Sequence, residues 1–254
     1  MAPRGLKTAI RKTIPAKLVG SKQFRAFQAI KNGVLDGPKL RGLTKALEAS
    51  IWSLGTLPPE AVYGSVRRGG WAGKNGGRRR GVAIDSQLTR CINSGKIKPK
   101  KGQYTLTKLT LTALAVNGLE PVACQRAVCN TDLRIGSAID ILAYEKSTSQ
   151  LVVVELKCGF SGDRVLAARR SGKACTMRKT LHKATDTVLN RHFAQLACTH
   201  AMFCAETGTL KTIHSLGVAH SIGAALLYVN DVDTALYPLS AWWTKRAERI
   251  LKDL

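Results

Sequence analysis

The stretch that most constrains the fold is AIDILAYEKSTSQLVVVELKCGF, residues 138–160. It contains two apolar runs, IDILAY and LVVVELK, on either side of the polar segment EKSTSQ, so it predicts two strands joined as a hairpin. Side chains alternate across a strand, and both faces of LVVV are apolar, so we expect the second strand in the centre of a sheet. Its charged end, Glu155 and Lys157, then lies where the sheet opens to solvent.

The charges at this end of the hairpin need a partner or a ligand. Removing Glu155 and Lys157 from water costs free energy unless they are paired or bind something, and a plain ion pair is one explanation. Asp140 offers another, because hairpin pairing brings its carboxylate near that of Glu155. Two adjacent carboxylates repel, and a hard divalent cation relieves that repulsion. The pattern therefore predicts a Mg²⁺ site, in which Mn²⁺ can substitute, with Lys157 placed to orient a water for phosphodiester hydrolysis.

The charge of the whole chain points to a polyanionic partner. The sequence holds 40 Lys and Arg against 16 Asp and Glu, a formal net charge of +24. Such an excess favours nucleic acid as the partner over a merely solvated basic surface. The bias is strongest in residues 1–101, which contain 22 basic residues and four acids. Residues 1–35 predict either a nucleic-acid-binding arm or an organellar transit segment, since both are basic and poor in acids.

Cysteine usage and hydropathy indicate the cellular compartment in which we expect the protein. The seven cysteines include no CxxC pair, which argues against a zinc ribbon or a secreted disulfide framework and favours reduced thiols in an intracellular protein. No apolar run approaches the roughly 20 residues of a membrane span, so we expect no membrane association. A DNA-containing compartment, whether nucleus, mitochondrion or the cytoplasm of an infected cell, fits the basic charge.

Further elements follow from periodicity and turn residues. Apolar spacing predicts helices over residues 81–95 and 192–208 and a helix that ends at Gly118, and strands over 120–128 and 223–229. The Gly- and Arg-rich segment 64–81 has the composition of a flexible linker. Together these elements predict an α/β fold with a mixed central sheet flanked by helices and a basic N-terminal extension.

The motif residues resemble a known nuclease superfamily. Asp140, a loop and then Glu155-Leu156-Lys157 resemble the PD-(D/E)XK pattern, in particular its RecB and lambda exonuclease branch. The segment GSAIDI is similar to that branch's glycine-then-aspartate strand opening, and ELKC to the motif of lambda-type exonucleases and viral alkaline nucleases. Gln195 lies on a predicted helix where the branch has a glutamine, and Asp85 stands where the branch has a histidine that helps hold a second metal.

The resemblance implies a restriction-endonuclease-like core in a nuclease domain over residues 76–254, preceded by a basic arm and helical extension over residues 1–75. It implies catalytic roles for Asp140, Glu155, Lys157 and Gln195. It also implies a metal held by the first two carboxylates, the Leu156 carbonyl and Asp85, and no iron–sulfur cluster. The expected nucleic-acid contacts are basic residues before and after the hairpin: Arg78, Arg79, Arg80, Arg169, Arg170, Lys173, Arg178, Lys179 and Lys183.

We therefore expect a Mg²⁺-dependent deoxyribonuclease, specifically an exonuclease of DNA replication, recombination or repair. Three alternatives stay open at this point: a structure-specific endonuclease for flaps or junctions, a non-catalytic basic binding protein, and RNA as the substrate, since no residue here reads a 2′-hydroxyl. Gln195 as an ordinary buried amide and Asp85 as a solvated helix residue are open as well. The sequence leaves the oligomeric state undetermined.

Overall fold

The computed structural model describes residues 1–12, 16–19, 26–29, 39–53, 76–98, 100–159, 175–231 and 233–254. The helices are α1 (Leu6–Lys12), α2 (Leu43–Ser50), α3 (Gly76–Asn93), α4 (Thr105–Val116), α5 (Val188–Cys204), α6 (Thr207–His214), α7 (Ala241–Thr244) and α8 (Ala247–Lys252), with a 3-10 turn at Lys179–Leu181. The strands are β1 (Ala16–Val19), β2 (Ala26–Ala29), β3 (Lys39–Gly42), β4 (Leu119–Asn130), β5 (Ile135–Glu145), β6 (Gln150–Cys158), β7 (Ile222–Val229) and β8 (Thr234–Pro238).

Strands β3 to β8 form a mixed sheet. β2 extends it by antiparallel pairing with β3, and β1 pairs antiparallel with β2. β5 pairs antiparallel with β4 and with β6, β6 pairs in parallel with β7, and β7 pairs antiparallel with β8. β6 therefore lies between two partners, and both the expected hairpin and its central second strand are confirmed. β3 joins in parallel at the first two residues of β5.

Each face of the sheet carries a hydrophobic cluster covered by helices. Val153 packs in the cluster that includes residues of α1, α2, α5 and α8. Val152 and Val154 pack in the cluster with α3 and α4 on the other face, as the alternation of a strand requires. The protein thus has the expected α/β architecture of a mixed sheet flanked by helices. Among the described helices, none has the length and apolarity needed to cross a membrane.

Two helices differ from their predicted bounds. α3 begins at Gly76, so residues 76–81 of the expected linker are helical, and residues 64–75 lie outside the described residues. The helix predicted over 192–208 is two helices, α5 and α6, separated at Ala205 and Glu206. The helix expected to end at Gly118 is α4, which ends at Val116, and Gly118 follows it with φ of 70°.

The described parts of residues 1–75 belong to the same core as the rest of the chain. Leu6 and Ile10 of α1 and Leu43 and Leu47 of α2 are all buried in the cluster that contains Val153 of β6. Helices α1 and α2 of the expected N-terminal extension therefore pack on the sheet, and its strands β1 to β3 are part of the sheet.

Leu47→Ala tests this shared core. Leu47 is fully buried, so its truncation should lower the free energy of unfolding of the whole protein by about 2–5 kcal/mol in a single urea transition. The matched control is Glu48→Ala on the exposed face of the same helix, which should change that free energy by less than about 0.5 kcal/mol. A separate early transition in the Leu47 variant would show instead that α2 unfolds independently of the sheet.

Candidate active site

The two carboxylates expected to hold a metal meet where the hairpin opens. Pairing between β5 and β6 ends at Ile141 and Val154, so Asp140 and Glu155 are the next two opposing positions toward the open end. Glu155 is 2% exposed and Asp140 is half-buried. The Leu156 backbone N–H donates to Asp140 Oδ2 over 2.9 Å, and Gln125 Nε2 donates to Oδ1 over 3.2 Å. These two bonds fix the Asp140 carboxylate beside β6.

The strand pair is irregular at Asp140. Ile139 packs in the cluster with α5 whereas Ile141 packs in the cluster with α3 and α4, although alternation would place both on one face. On β4, Gln125 opposes Asp140 and has φ of 51°. The Asp140 carboxylate thus takes the place of a strand partner for the Leu156 N–H. Because the N–H and C=O of one residue in a strand point to the same edge, the Leu156 carbonyl also points to the edge where Asp140 lies.

Lys157 and Gln195 complete a closed set of hydrogen bonds around Glu155. Lys157 Nζ donates to Glu155 Oε1 over 2.7 Å and to Gln195 Oε1 over 3.2 Å. Gln195 Nε2 donates to the same Glu155 Oε1 over 2.7 Å. The structure therefore brings together all four residues for which we expected catalytic roles, three from the hairpin and one from α5.

A buried hydroxyl pair docks α5 against the site. Thr199, one turn after Gln195, is fully buried, and its hydroxyl lies 3.0 Å from that of Ser137 on β5. Motif spacing did not predict this contact, since single Ser and Thr residues carry no such signal. It holds the helix at the distance from β5 at which Gln195 reaches Glu155.

Burial raises the pKa of both carboxyl groups. Burial and the neighbouring Asp140 raise the pKa of Glu155 to about 7, against the attraction of Lys157. Burial likewise raises the pKa of Asp140, although Lys157 and the bond from the Leu156 N–H oppose this. Burial lowers the pKa of Lys157, but Glu155 and Asp140 outweigh it and leave that pKa raised. Ionisation of both carboxyl groups would therefore give the site more negative charge than the single ammonium of Lys157 balances.

Helix α3 places a third acid and a buried arginine beside the hairpin. The half-buried Asp85 lies close enough to add to the rise in the pKa of Glu155. Arg80, which we expected to contact phosphate, is 4% exposed, and its Nη2 donates to the Cys158 carbonyl over 3.0 Å. A Cβ on Gly159, whose φ is 89°, would lie 2.1 Å from that Nη2. Arg80 thus fixes α3 to the end of β6.

The donor set fits a hard divalent cation. Asp140, Glu155 and the Leu156 carbonyl offer oxygen ligands, which Mg²⁺ prefers, and a bound cation would favour the ionised form of both carboxyl groups against the burial that raises their pKa. Among the described residues, no group of three His, Cys, Asp or Glu side chains forms a metal cage. The backbone carbonyl and water would complete the coordination, which is usual for Mg²⁺ because it dehydrates reluctantly.

A cavity of about 460 Å³ opens beside the carboxylates. Asp140 and Gln195 line it, together with β3, the start of α2 and the start of β5. Arg41 and Lys45, both exposed, add positive charge to its rim. Sequence reasoning missed these two residues because only the pairing of β3 with β5, remote in the chain, brings them to the site.

The other predicted nucleic-acid contacts have varied placements. Arg79 is exposed on α3, and the Arg178 side chain donates to the Trp52 carbonyl. Lys179 donates to the Asp253 carbonyl, and Lys183 is exposed. The remaining ones lie outside the described residues or side chains: Arg78, Arg169, Arg170 and Lys173.

Comparison with known proteins found no protein-family model and no curated protein that matches this chain. The interpretation of the site therefore depends on its geometry and on the resemblance of its motif.

The raised pKa of Glu155 predicts how stability changes with pH in the absence of metal. The folded protein holds this proton up to about pH 7, whereas an unfolded Glu loses it near the ordinary pKa of 4.5. Stability from this group is therefore present at acid pH and lost as pH rises, by about 3 kcal/mol over that range. In EDTA, Glu155→Gln should gain stability relative to wild type as pH rises, measured by urea unfolding. A constant difference in stability between Glu155→Gln and wild type across this pH range would contradict the assignment.

Proposed function

We propose that the protein is a Mg²⁺-dependent nuclease that hydrolyses phosphodiester bonds of DNA, in an intracellular compartment that contains DNA. The observation that carries this proposal is the pair of carboxylates, Asp140 and Glu155, at the open end of the hairpin, with Lys157 and Gln195 both bonded to Glu155. An ion pair alone would match one acid with one base. Here Lys157 faces two acids, which is what a site that binds a cation requires.

The residues of the site have distinct proposed roles. Asp140, Glu155 and the Leu156 carbonyl would hold Mg²⁺, and Asp85 supplies further negative charge from α3. When bound, the metal would polarise a phosphoryl oxygen and lower the pKa of a coordinated water. Lys157 is placed to donate to the attacking water or to a phosphate oxygen.

Gln195 is a positioning residue in this proposal. Its amide bonds both Glu155 and Lys157, so it holds the carboxylate and the ammonium in fixed relative positions. Partners of this kind commonly affect activity by about 10- to 100-fold when they are removed.

The charge of the chain and the cavity support DNA as the substrate. Arg41 and Lys45 on the cavity rim attract backbone phosphate toward Asp140, and the net charge of +24 favours a polyanion in general. The resemblance to the lambda exonuclease branch favours action at DNA ends. An internal cut at a flap or junction would use the same chemistry on a different substrate geometry.

Cleavage of matched substrates tests the activity and its mode. Purified protein in Mg²⁺ should release nucleotides from end-labelled linear duplex DNA and leave covalently closed circular DNA intact, and EDTA should stop the reaction. Cutting of the circle would establish an endonuclease. Cleavage of RNA but not of DNA would show that the substrate is RNA. Binding of DNA without cleavage in either Mg²⁺ or Mn²⁺ would support a non-catalytic binding protein.

Two substitutions assign the chemistry to the site. Glu155→Gln and Lys157→Met should each lower the cleavage rate by on the order of 100- to 10,000-fold, because they remove a ligand or a proton donor, while DNA binding stays near wild type. The matched controls are Glu145→Gln and Lys146→Met at the turn end of the hairpin. Both controls should cleave like wild type. Near-normal cleavage by either site variant would refute the assignment.

A further inference from the structure

A second basic pocket lies apart from the carboxylates. It has a volume of about 380 Å³ and is lined by Thr180, His182, Lys183, Lys245, Arg246 and Arg249. These residues come from the turn before α5 and from the two C-terminal helices. Among the residues that the structure describes, no acidic side chain lines the pocket, and three of its Lys and Arg side chains are exposed. Its lining is thus chemically suited to an anion.

Asp253 lies near this pocket, and its charge balances part of the positive charge of Lys179 and Arg249. Asp253 Oδ2 accepts the backbone N–H of Thr180 over 2.9 Å, and the Asp253 carbonyl accepts a bond from Lys179. The Arg246 guanidinium lies 4.0 Å from the centre of the Trp242 ring, which orients this cation. The pocket therefore has a basic lining in which Lys and Arg outnumber the neighbouring acid.

The end of the chain connects this pocket to the cavity beside the carboxylates. Arg41 lines that cavity, and its guanidinium donates to the carbonyl of Leu254. Thr180 lines the basic pocket and bonds Asp253, the residue before Leu254. Contacts through Asp253 and Leu254 therefore link the linings of the two openings, and Lys179 bonds the Asp253 carbonyl.

From this arrangement we propose that the basic pocket binds backbone phosphates of the same DNA strand whose phosphodiester is cut at the carboxylates. This inference rests on the proposed nuclease function and adds a second contact at a distance from the scissile bond. Lys and Arg bind phosphate without regard to base, so the pocket gives affinity that does not depend on sequence. It would hold the strand in place while successive bonds reach the site.

The salt dependence of DNA binding tests the pocket. The double variant Lys245→Gln/Arg249→Gln removes two exposed cations from it. Dissociation constants for a fluorescent DNA duplex would be measured by anisotropy in EDTA, which prevents cleavage, over a series of salt concentrations. Each lost phosphate contact lowers the slope of log affinity against log salt by about 0.9, so the slope should fall by about two.

A control pair with the same loss of charge separates a local site from general attraction. Lys96→Gln/Lys211→Gln removes two exposed cations that line neither cavity, and it should leave the slope within about 0.5 of wild type. The proposal would be overturned if the slope fell equally in both double variants, or if it did not fall in Lys245→Gln/Arg249→Gln. If the slope falls only in the first pair but wild type cuts no DNA in Mg²⁺, the phosphate pocket stands and the nuclease function fails.

Discussion

The structure depends on one unfavourable contact, the approach of two carboxylates on neighbouring strands in a largely buried place. Burial makes the ionisation of both Asp140 and Glu155 costly and raises the pKa of both, and repulsion from Asp140 adds to the rise for Glu155. The surrounding elements restrain this contact. The Leu156 N–H holds one carboxylate, and Lys157 and Gln195 hold the other. A bound cation would neutralise buried carboxylates of this kind. Their raised pKa values and their geometry are the reason to regard the site as a candidate functional site.

Other buried charges in the protein show what a purely structural role looks like. Asp186 and Arg191 form two bonds of 2.6 and 3.0 Å, and Arg126 and Glu206 form two of 2.9 and 2.6 Å. Each of these pairs matches one acid with one arginine in the two-pronged geometry that suits burial. The first pair ties α5 to the segment before it, and the second ties β4 to the residue before α6. The carboxylates of the hairpin lack such a partner, and this contrast separates the candidate site from the charges that stabilise the fold.

The sequence predicted the parts of the site that depend on local pattern. Alternation placed Val153 and Val152 on opposite faces, the hairpin followed from two apolar runs and a polar loop, and the opposition of Asp140 and Glu155 followed from the hairpin. What it missed depends on contacts between distant segments. The apolar periodicity of α3 did not reveal that the helix begins at Gly76, because glycine and arginine there have the composition of a linker. Nothing local indicated that β3 would pair with β5 and bring Arg41 to the site, or that the chain end would contact the linings of both openings.

The most direct test of the central claim is calorimetric titration of Mn²⁺ into the protein at about pH 6, in two buffers with different ionisation enthalpies. Glu155 is still largely protonated below its pKa of about 7, so a metal at the carboxylates must displace a proton. The account predicts saturable binding whose observed enthalpy depends on the buffer, and loss of that binding in Asp140→Asn. Absence of saturable binding, or binding that is unchanged in Asp140→Asn, would contradict it.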